Sequence, residues 1–348
     1  MFNGFRGNGS RAAAIAAAIG ALAIATGTQA LAQNTLAAVK ARGHLVCGAH
    51  PGAPGFSQPD SRGEYAGFDA DHCRAVAAAI FGDGKAIRFR PLSSQQRLVA
   101  LQTGEVDVLI RTTTWSMARD TQSGLNVTNT IFYDGQGFLV RRKLGLKGAK
   151  ELEGATICVT SGTTNELNLA DWSRSNGVKV VPLVIDQNDE TRKAYESGRC
   201  DAFTTDASQL AGVRTALPVP DEHVVLPDII SKEPLGPYVR HGDDQWLDLV
   251  KWTMFALVEA EEYGVTSRNV DEMLKSPNPA VQRLLGASGG FGKMIGLDDR
   301  WAYNAIKAVG NYGEIFERNL GKGSPLQLER GINALWNKGG LIYAPPIR

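Results

Sequence analysis

The chain has few of the residues that carry most enzymatic chemistry. Its five histidines, His44, His50, His72, His223 and His241, are scattered over 348 residues. No His-Glu-x-x-His pair occurs, which excludes the helix-borne zinc-hydrolase pattern. The four cysteines, Cys47, Cys73, Cys158 and Cys200, form no Cys-x-x-Cys and have no histidine pair nearby. That spacing gives no zinc site, so no metal and no cofactor are expected. Charge of either sign is in balance, 37 basic against 36 acidic residues, and no basic run stands out. The composition gives no support to nucleic-acid binding or to a membrane-surface patch. The run from Gly286 to Met294 loosely resembles a phosphate loop, but its spacing is wrong and Met294 stands where the hydroxyl residue belongs.

One apolar stretch is present. Arg6 and Arg11 precede an alanine-rich segment from Ala12 to about Thr26, and Ala30-Leu31-Ala32 follows as an Ala-x-Ala site. This is the layout of a secretory signal peptide, residues 1–32, cleaved near Ala32. A membrane anchor is the alternative, but the stretch is short for a span. No cysteine follows the cut closely enough for a lipid-anchored mature terminus. An exported protein folds in an oxidising compartment, where an even number of cysteines implies disulfides. Of the three possible pairings, 47–73 with 158–200 is preferred, one bridge in each half of the mature chain.

The rest alternates strand and helix. A strand at 44–47, a Gly/Pro-rich loop, a helix at 68–81, a strand at 86–90, a helix at 95–103 and a buried strand at 106–110 predict an α/β lobe with a mainly parallel sheet. A second series of the same kind runs from residue 136 to beyond 206. The expected division is lobe 1 over 33–133, lobe 2 over 134–232, and a return segment with a helical C-terminal extension over 233–348. In such sheets ligands bind beyond the carboxyl ends of the strands.

Those strand ends carry polar groups. Arg111-Thr112-Thr113-Thr114-Trp115 follows the strand at 106–110, with Arg119 shortly after. A guanidinium matches a carboxylate in two places, and hydroxyls donate to the same oxygens. Thr163 and Glu166 fit a capping box, so Thr163-Thr164 either only starts a helix or also offers an anion site at its N-terminus. Asp206 ends another strand, where it serves as a helix N-cap or as an acceptor for an ammonium group. Arg119 and Asp206 together would complement a zwitterion.

Taken together, these residues resemble the periplasmic solute-binding proteins of amino-acid ABC importers. The resemblance rests on Gly67-Phe68-Asp69, Gly104-Glu105-Val106-Asp107, the segment from Thr112 to Arg119, Ser161-Gly162-Thr163-Thr164, Gly198-Arg199-Cys200-Asp201 and Thr205-Asp206, across roughly residues 40 to 263. The segment from Ile230 to Pro237 and the long tail are similar to the general L-amino-acid-binding subfamily. The resemblance implies a type II binding-protein fold: two α/β lobes, a ligand cleft between them, and no enzymatic activity. It implies that Arg119, Thr112 and Thr114 hold a ligand carboxylate from lobe 1 and that Thr163 and Thr164 complete that site from lobe 2. Asp206 would hold the ammonium. Phe56 matches a loop aromatic of the family, and Ala53 stands where some relatives carry a stacking aromatic. With Ser94 at the pocket, broad tolerance of side chains is expected. The implied partners are free L-amino acids and membrane permease subunits, the implied state is a monomer, and the implied location is the periplasm. A dehydratase on the same fold is the alternative, with His50 as its one candidate acid or base.

Overall fold

The computed structural model describes Met1, Gly4 and residues 34–348. Apart from Met1 and Gly4, the expected signal peptide and its cleavage site lie outside the described residues. No described helix is long and apolar enough to cross a membrane.

The chain opens with α1 (Thr35–Arg42), capped by the Asn34 side chain, then β1 (Leu45–Ala49). A small ribbon of β2 (Gln58–Pro59) and β3 (Tyr65–Ala66) leads to α2 (Phe68–Phe81). Next come β4 (Ile87–Pro91), α3 (Arg97–Gln102), β5 (Val108–Leu109), α4 (Met117–Thr121) and β6 (Leu125–Val127). The chain then crosses on β7 (Phe132–Asp134) into β8 (Gln136–Arg141), β9 (Thr156–Thr160), α5 (Thr164–Asn176), β10 (Val181–Ile185), α6 (Asn188–Glu196), β11 (Ala202–Asp206), α7 (Ala207–Thr215) and β12 (His223–Val225). It returns on β13 (Glu233–Leu235) to β14 (Tyr238–Arg240) and the long α8 (Asp244–Glu262). Four shorter helices complete it: α9 (Val270–Met273), α10 (Pro279–Leu284), α11 (Trp301–Val309) and α12 (Tyr312–Asn319).

Two five-stranded sheets result, ordered β4-β1-β5-β14-β6 and β10-β9-β11-β8-β12. In each, the central strands run parallel and the strands that leave or re-enter the lobe run antiparallel. The two crossings are β7 and β13, which pair with each other, Glu233 opposite Asp134 and Leu235 opposite Phe132. A paired two-strand crossing constrains the lobes to bend about one line, the geometry of a hinge. Cys47–Cys73 ties β1 to α2 and Cys158–Cys200 ties β9 to the turn two residues before β11, one bridge per lobe.

Several expected boundaries shift. The strand expected at 178–183 is observed at 181–185, because the Val178 amide still bonds to the Ser173 carbonyl and finishes the turn that ends α5. The buried run 106–110 contributes only Val108–Leu109 as strand, with the Asp107 and Ile110 amides bonding to β1 at its two ends before the chain turns at Thr112. The Gly286–Met294 run follows α10 and ends in a 3₁₀ turn, and a Cβ on Gly286 would meet the Asp299 carbonyl at 1.9 Å. It is a packed corner, not a phosphate loop.

The C-terminal extension is part of the lobe 1 core. Trp301, Ala302, Ala305, Ile306, Tyr312, Ile315 and Phe316 are buried with α2 and α8. The alanine-rich face of α2 lets α11 approach closely, and Gly84 lies within a methyl contact of Ala308. The tail also reaches the hinge. Asn333 bonds both backbone groups of Tyr133, and the Tyr312 hydroxyl donates to the Ile131 carbonyl. A small-residue interface has no slack for added methylenes. Ala305→Leu is therefore expected to lower stability by about 1–3 kcal/mol in urea unfolding.

Candidate ligand-binding cleft

The loop after β1 is fixed before any ligand arrives. Phe68 and Asp69 donate their amides to the Gly55 and Phe56 carbonyls, joining the loop to the start of α2. This contact requires glycine at Gly67, where φ is 129° and a Cβ would lie 2.2 Å from the Phe56 carbonyl oxygen. After β5 the chain takes an unusual course. Thr112 has φ 42°, a left-handed conformation that costs a β-branched residue on the order of 1–3 kcal/mol. Its amide donates to the Asp69 carboxylate at 2.9 Å, which pins this turn. Burial pushes the Asp69 carboxyl up to about 7, against the pull of the Thr112 amide and Arg111. Lobe 2 contributes two strand ends of its own. Thr163 caps α5 through the Glu166 amide, but the Glu166 carboxylate bonds to the Gly162 amide, so the reciprocal capping box does not form. Asp206 opens α7 without capping it. Its oxygens accept from Asn165 and Gln209 at 2.9 and 3.1 Å.

Between the lobes lies a cavity of about 20 Å³. Of the residues expected there, Ser94, Thr112, Thr114, Thr163, Thr164 and Asp206 line it. Two do not. Phe56 is fully buried edge-on against Phe68 and Phe132, so it is core and not a ligand-facing aromatic. Arg119 is half-buried behind the wall, where it donates to the Thr114 carbonyl at 3.0 Å.

The cations that reach the cavity are Arg97 and Arg111. Arg111 is 1% exposed and donates to the Leu92 carbonyl and to Ser94, so it is a wall residue. Arg97 is 3% exposed and its Nε has no partner among the described residues. Burial and the repulsion of Arg119 and Arg111 weaken the Arg97 proton affinity. A guanidinium stays protonated in proteins, so this records a buried charge that Tyr238 and Asp206 offset only in part. Sequence reading passed over Arg97 because it sits in a short helix. The signal was its placement three and four residues before buried Ala100 and Leu101, on the same helix face.

Acids face these cations. Asp206 is 3% exposed, and its carboxyl is held well above the usual range by burial and then by Asp134 and Glu233. Asp134 is itself pushed up to about 6, chiefly by burial. Glu233, which the sequence shows only as the start of the return segment, is 1% exposed. It accepts from Thr114 of lobe 1 at 2.6 Å and from Thr164 and Asn168 of lobe 2 at 2.8 and 2.6 Å. The lobes also meet through Gln95 and Ser161 at 2.9 Å and through Thr114 and Thr164 at 3.2 Å, a closed arrangement. His50 lines the cavity with its basicity strongly lowered, by burial first and then by Arg111 and Arg97.

This architecture has known counterparts. Residues 45–269 match the family described as bacterial extracellular solute-binding proteins, family 3. The chain belongs to that family. It is 54% identical over 336 residues to the general L-amino acid-binding periplasmic protein of Rhizobium johnstonii, covering 96% of this chain and 98% of that one. It is 52% identical over 320 residues to the glutamate/glutamine/aspartate/asparagine-binding protein of Rhodobacter capsulatus, covering 92% and 95%. Among solved structures, a periplasmic binding protein from Brucella ovis with glutathione bound superposes with a TM-score of 0.89 at 56% identity, covering 90% of this chain and 99% of that one. The protein is a solute-binding component of an importer and not an enzyme, so the dehydratase alternative falls. The letters Gly286-Ala287-Ser288-Gly289-Gly290 fit a Gly-x-Ser-x-Gly elbow, but they follow helix α10 where that motif needs a strand.

The core placement of Phe56 is open to a direct check. Phe56→Ala is expected to lower unfolding free energy by about 3–5 kcal/mol, measured in denaturant, by leaving a cavity beside Phe68 and Phe132.

Proposed function

We propose that the protein captures free L-amino acids in the periplasm and delivers them to the permease subunits of an ABC importer. The observation that carries this reading is one pair of buried charges. Arg97 and Asp206 line the same cavity from opposite lobes; they attract each other but form no direct ion pair among the described residues. An α-amino acid supplies the missing groups, a carboxylate for the guanidinium and an ammonium for Asp206. Thr114, Thr163 and Thr164 add hydroxyl donors at the carboxylate end, with Thr112 and Ser94 beside them. Arg119 spends one bond on Thr114, and turning its remaining donors inward would add it to the same end.

Affinity for the closed state drives closure, since a ligand shifts an equilibrium only by binding one state better. The bonds from Thr114 and Thr164 to Glu233 join the lobes in that state. Delivery as a monomer to the permease, and release of the leader after Ala32, complete the proposed cycle. The amino-acid names of the Rhizobium and Rhodobacter relatives support the ligand class. The glutathione in the Brucella relative supports a site not confined to free amino acids.

Removing one partner of a buried charged contact costs on the order of 3–5 kcal/mol. Arg97→Ala and Asp206→Ala are each expected to lose about that much binding free energy in titration calorimetry, with folding retained. Unchanged affinity in either variant contradicts the assignment. A pH dependence follows with a definite sign. The raised Asp206 keeps its proton to a higher pH than an ordinary carboxyl, and an ammonium ligand needs the carboxylate. Binding therefore releases a proton, and affinity falls as the pH drops through the raised value. Calorimetry in buffers of different ionisation enthalpy measures that proton; net uptake would oppose the account.

A further inference from the structure

The lobes also meet away from the ligand cavity. Gly212 lies near the end of α7 on lobe 2, with ordinary helical backbone, so no left-handed conformation calls for glycine there. Glycine inside a helix weakens it relative to alanine, because it loses more chain entropy on folding. What glycine supplies here is the absence of a Cβ. Such an atom would lie 2.8 Å from the Pro54 carbonyl oxygen and 3.2 Å from the Pro54 Cβ, and the three atoms nearest to it all belong to Pro54. Pro54 is on lobe 1, in the loop after β1. A helix of one lobe therefore rests directly on the backbone of the other. The Pro54 turn has no room to withdraw. The Ala53 carbonyl accepts from the Phe56 and Ser57 amides, and the Gly55 carbonyl accepts from Phe68 at the start of α2. The C-terminal extension packs on the same turn: a Cβ on Gly55 would lie 2.7 Å from Leu326, 2.9 Å from Leu320 and 3.1 Å from the Asn319 carbonyl. Close-packed backbone of this kind does not compress.

We infer that Gly212 is a positioning residue for ligand capture: its contact with the braced Pro54 turn is the stop that sets how far the lobes close. The inference rests on the amino-acid reading given above. Gly212 lines neither the ligand cavity nor the larger cavity of about 310 Å³ that shares His50 and Gln209 with it, so it acts on the ligand only through closure. An added carbon at Gly212 halts α7 before it reaches Pro54. Thr164 and Asp206 of lobe 2 then stand back from a ligand already held by lobe 1. The open, ligand-free state has no such clash. The loss is therefore common to every ligand, whatever its side chain. The C-terminal extension gains a role in the same step, since it backs the turn against which lobe 2 comes to rest.

The test is titration calorimetry of the full mature protein and of Gly212→Ala with L-alanine, L-glutamine and L-glutamate. Thermal melting of the ligand-free proteins and small-angle scattering with and without ligand accompany it. Without ligand, Gly212→Ala should melt at the wild-type temperature or up to about 3 °C above it, since alanine suits a helix better. It should weaken every ligand that the wild type binds by about tenfold or more, and by one common factor. Its radius of gyration should fall less on saturation with ligand than that of the wild type. Unchanged affinity overturns the stop and leaves the amino-acid reading intact. So does a loss that differs among the ligands, which would place Gly212 against the ligand itself. A lowered ligand-free melting temperature overturns it too, because the glycine would then be a requirement of the packing within lobe 2. If the wild type binds none of the three while folded by circular dichroism, the amino-acid reading fails and the stop with it.

Discussion

A buried guanidinium and a buried carboxyl share one small cavity without forming a direct ion pair. That constraint organises the molecule. Burial opposes both ions: it costs the guanidinium several kcal/mol and holds the Asp206 carboxyl protonated to a higher pH than usual. The protein retains both, and surrounds them with hydroxyls and amides instead of closing them into a salt bridge. Arg97 lies on lobe 1 and Asp206 on lobe 2, so the compensating group must come from outside and must touch both lobes. A zwitterion does this by its own chemistry.

The rest of the structure serves that arrangement. Lobe 1 is stiffened by the C-terminal helices, which complete its core around α2 and α8. The tail then fastens to the crossing itself through Asn333 and Tyr133. Glu233 stands on the paired crossing strands and collects bonds from hydroxyls of both lobes. The Asp69 carboxylate holds Thr112 in a conformation a β-branched residue rarely takes. These are fixed supports for a site whose two halves must move relative to each other. Preorganisation of each half leaves the ligand only closure to drive.

The α/β alternation and the two-lobed division were legible in the sequence because buried strands and helix stops leave strong local patterns. The residues at strand ends were legible for the same reason, and Ser94, Thr112, Thr114, Thr163, Thr164 and Asp206 do come together at one cavity. Arg97 was not, because a buried arginine in a short helix looks like an ordinary polar position until its partners in space are known. Glu233 was hidden in the same way: its four hydrogen-bonding partners are mostly distant in sequence. Phe56 erred in the other direction. It sits in a loop that faces the cleft, but its ring turns inward to Phe68 and Phe132, which local pattern cannot show.

The most direct measurement compares one bound L-amino acid with two analogues, one lacking the α-ammonium and one with the α-carboxylate converted to an amide. The central claim is that both charges are required, since each leaves a buried protein charge without its partner. Loss of either should weaken binding by about two to three orders of magnitude, the equivalent of roughly 3–5 kcal/mol. An analogue that keeps the affinity of the parent amino acid while lacking one charge would contradict the account.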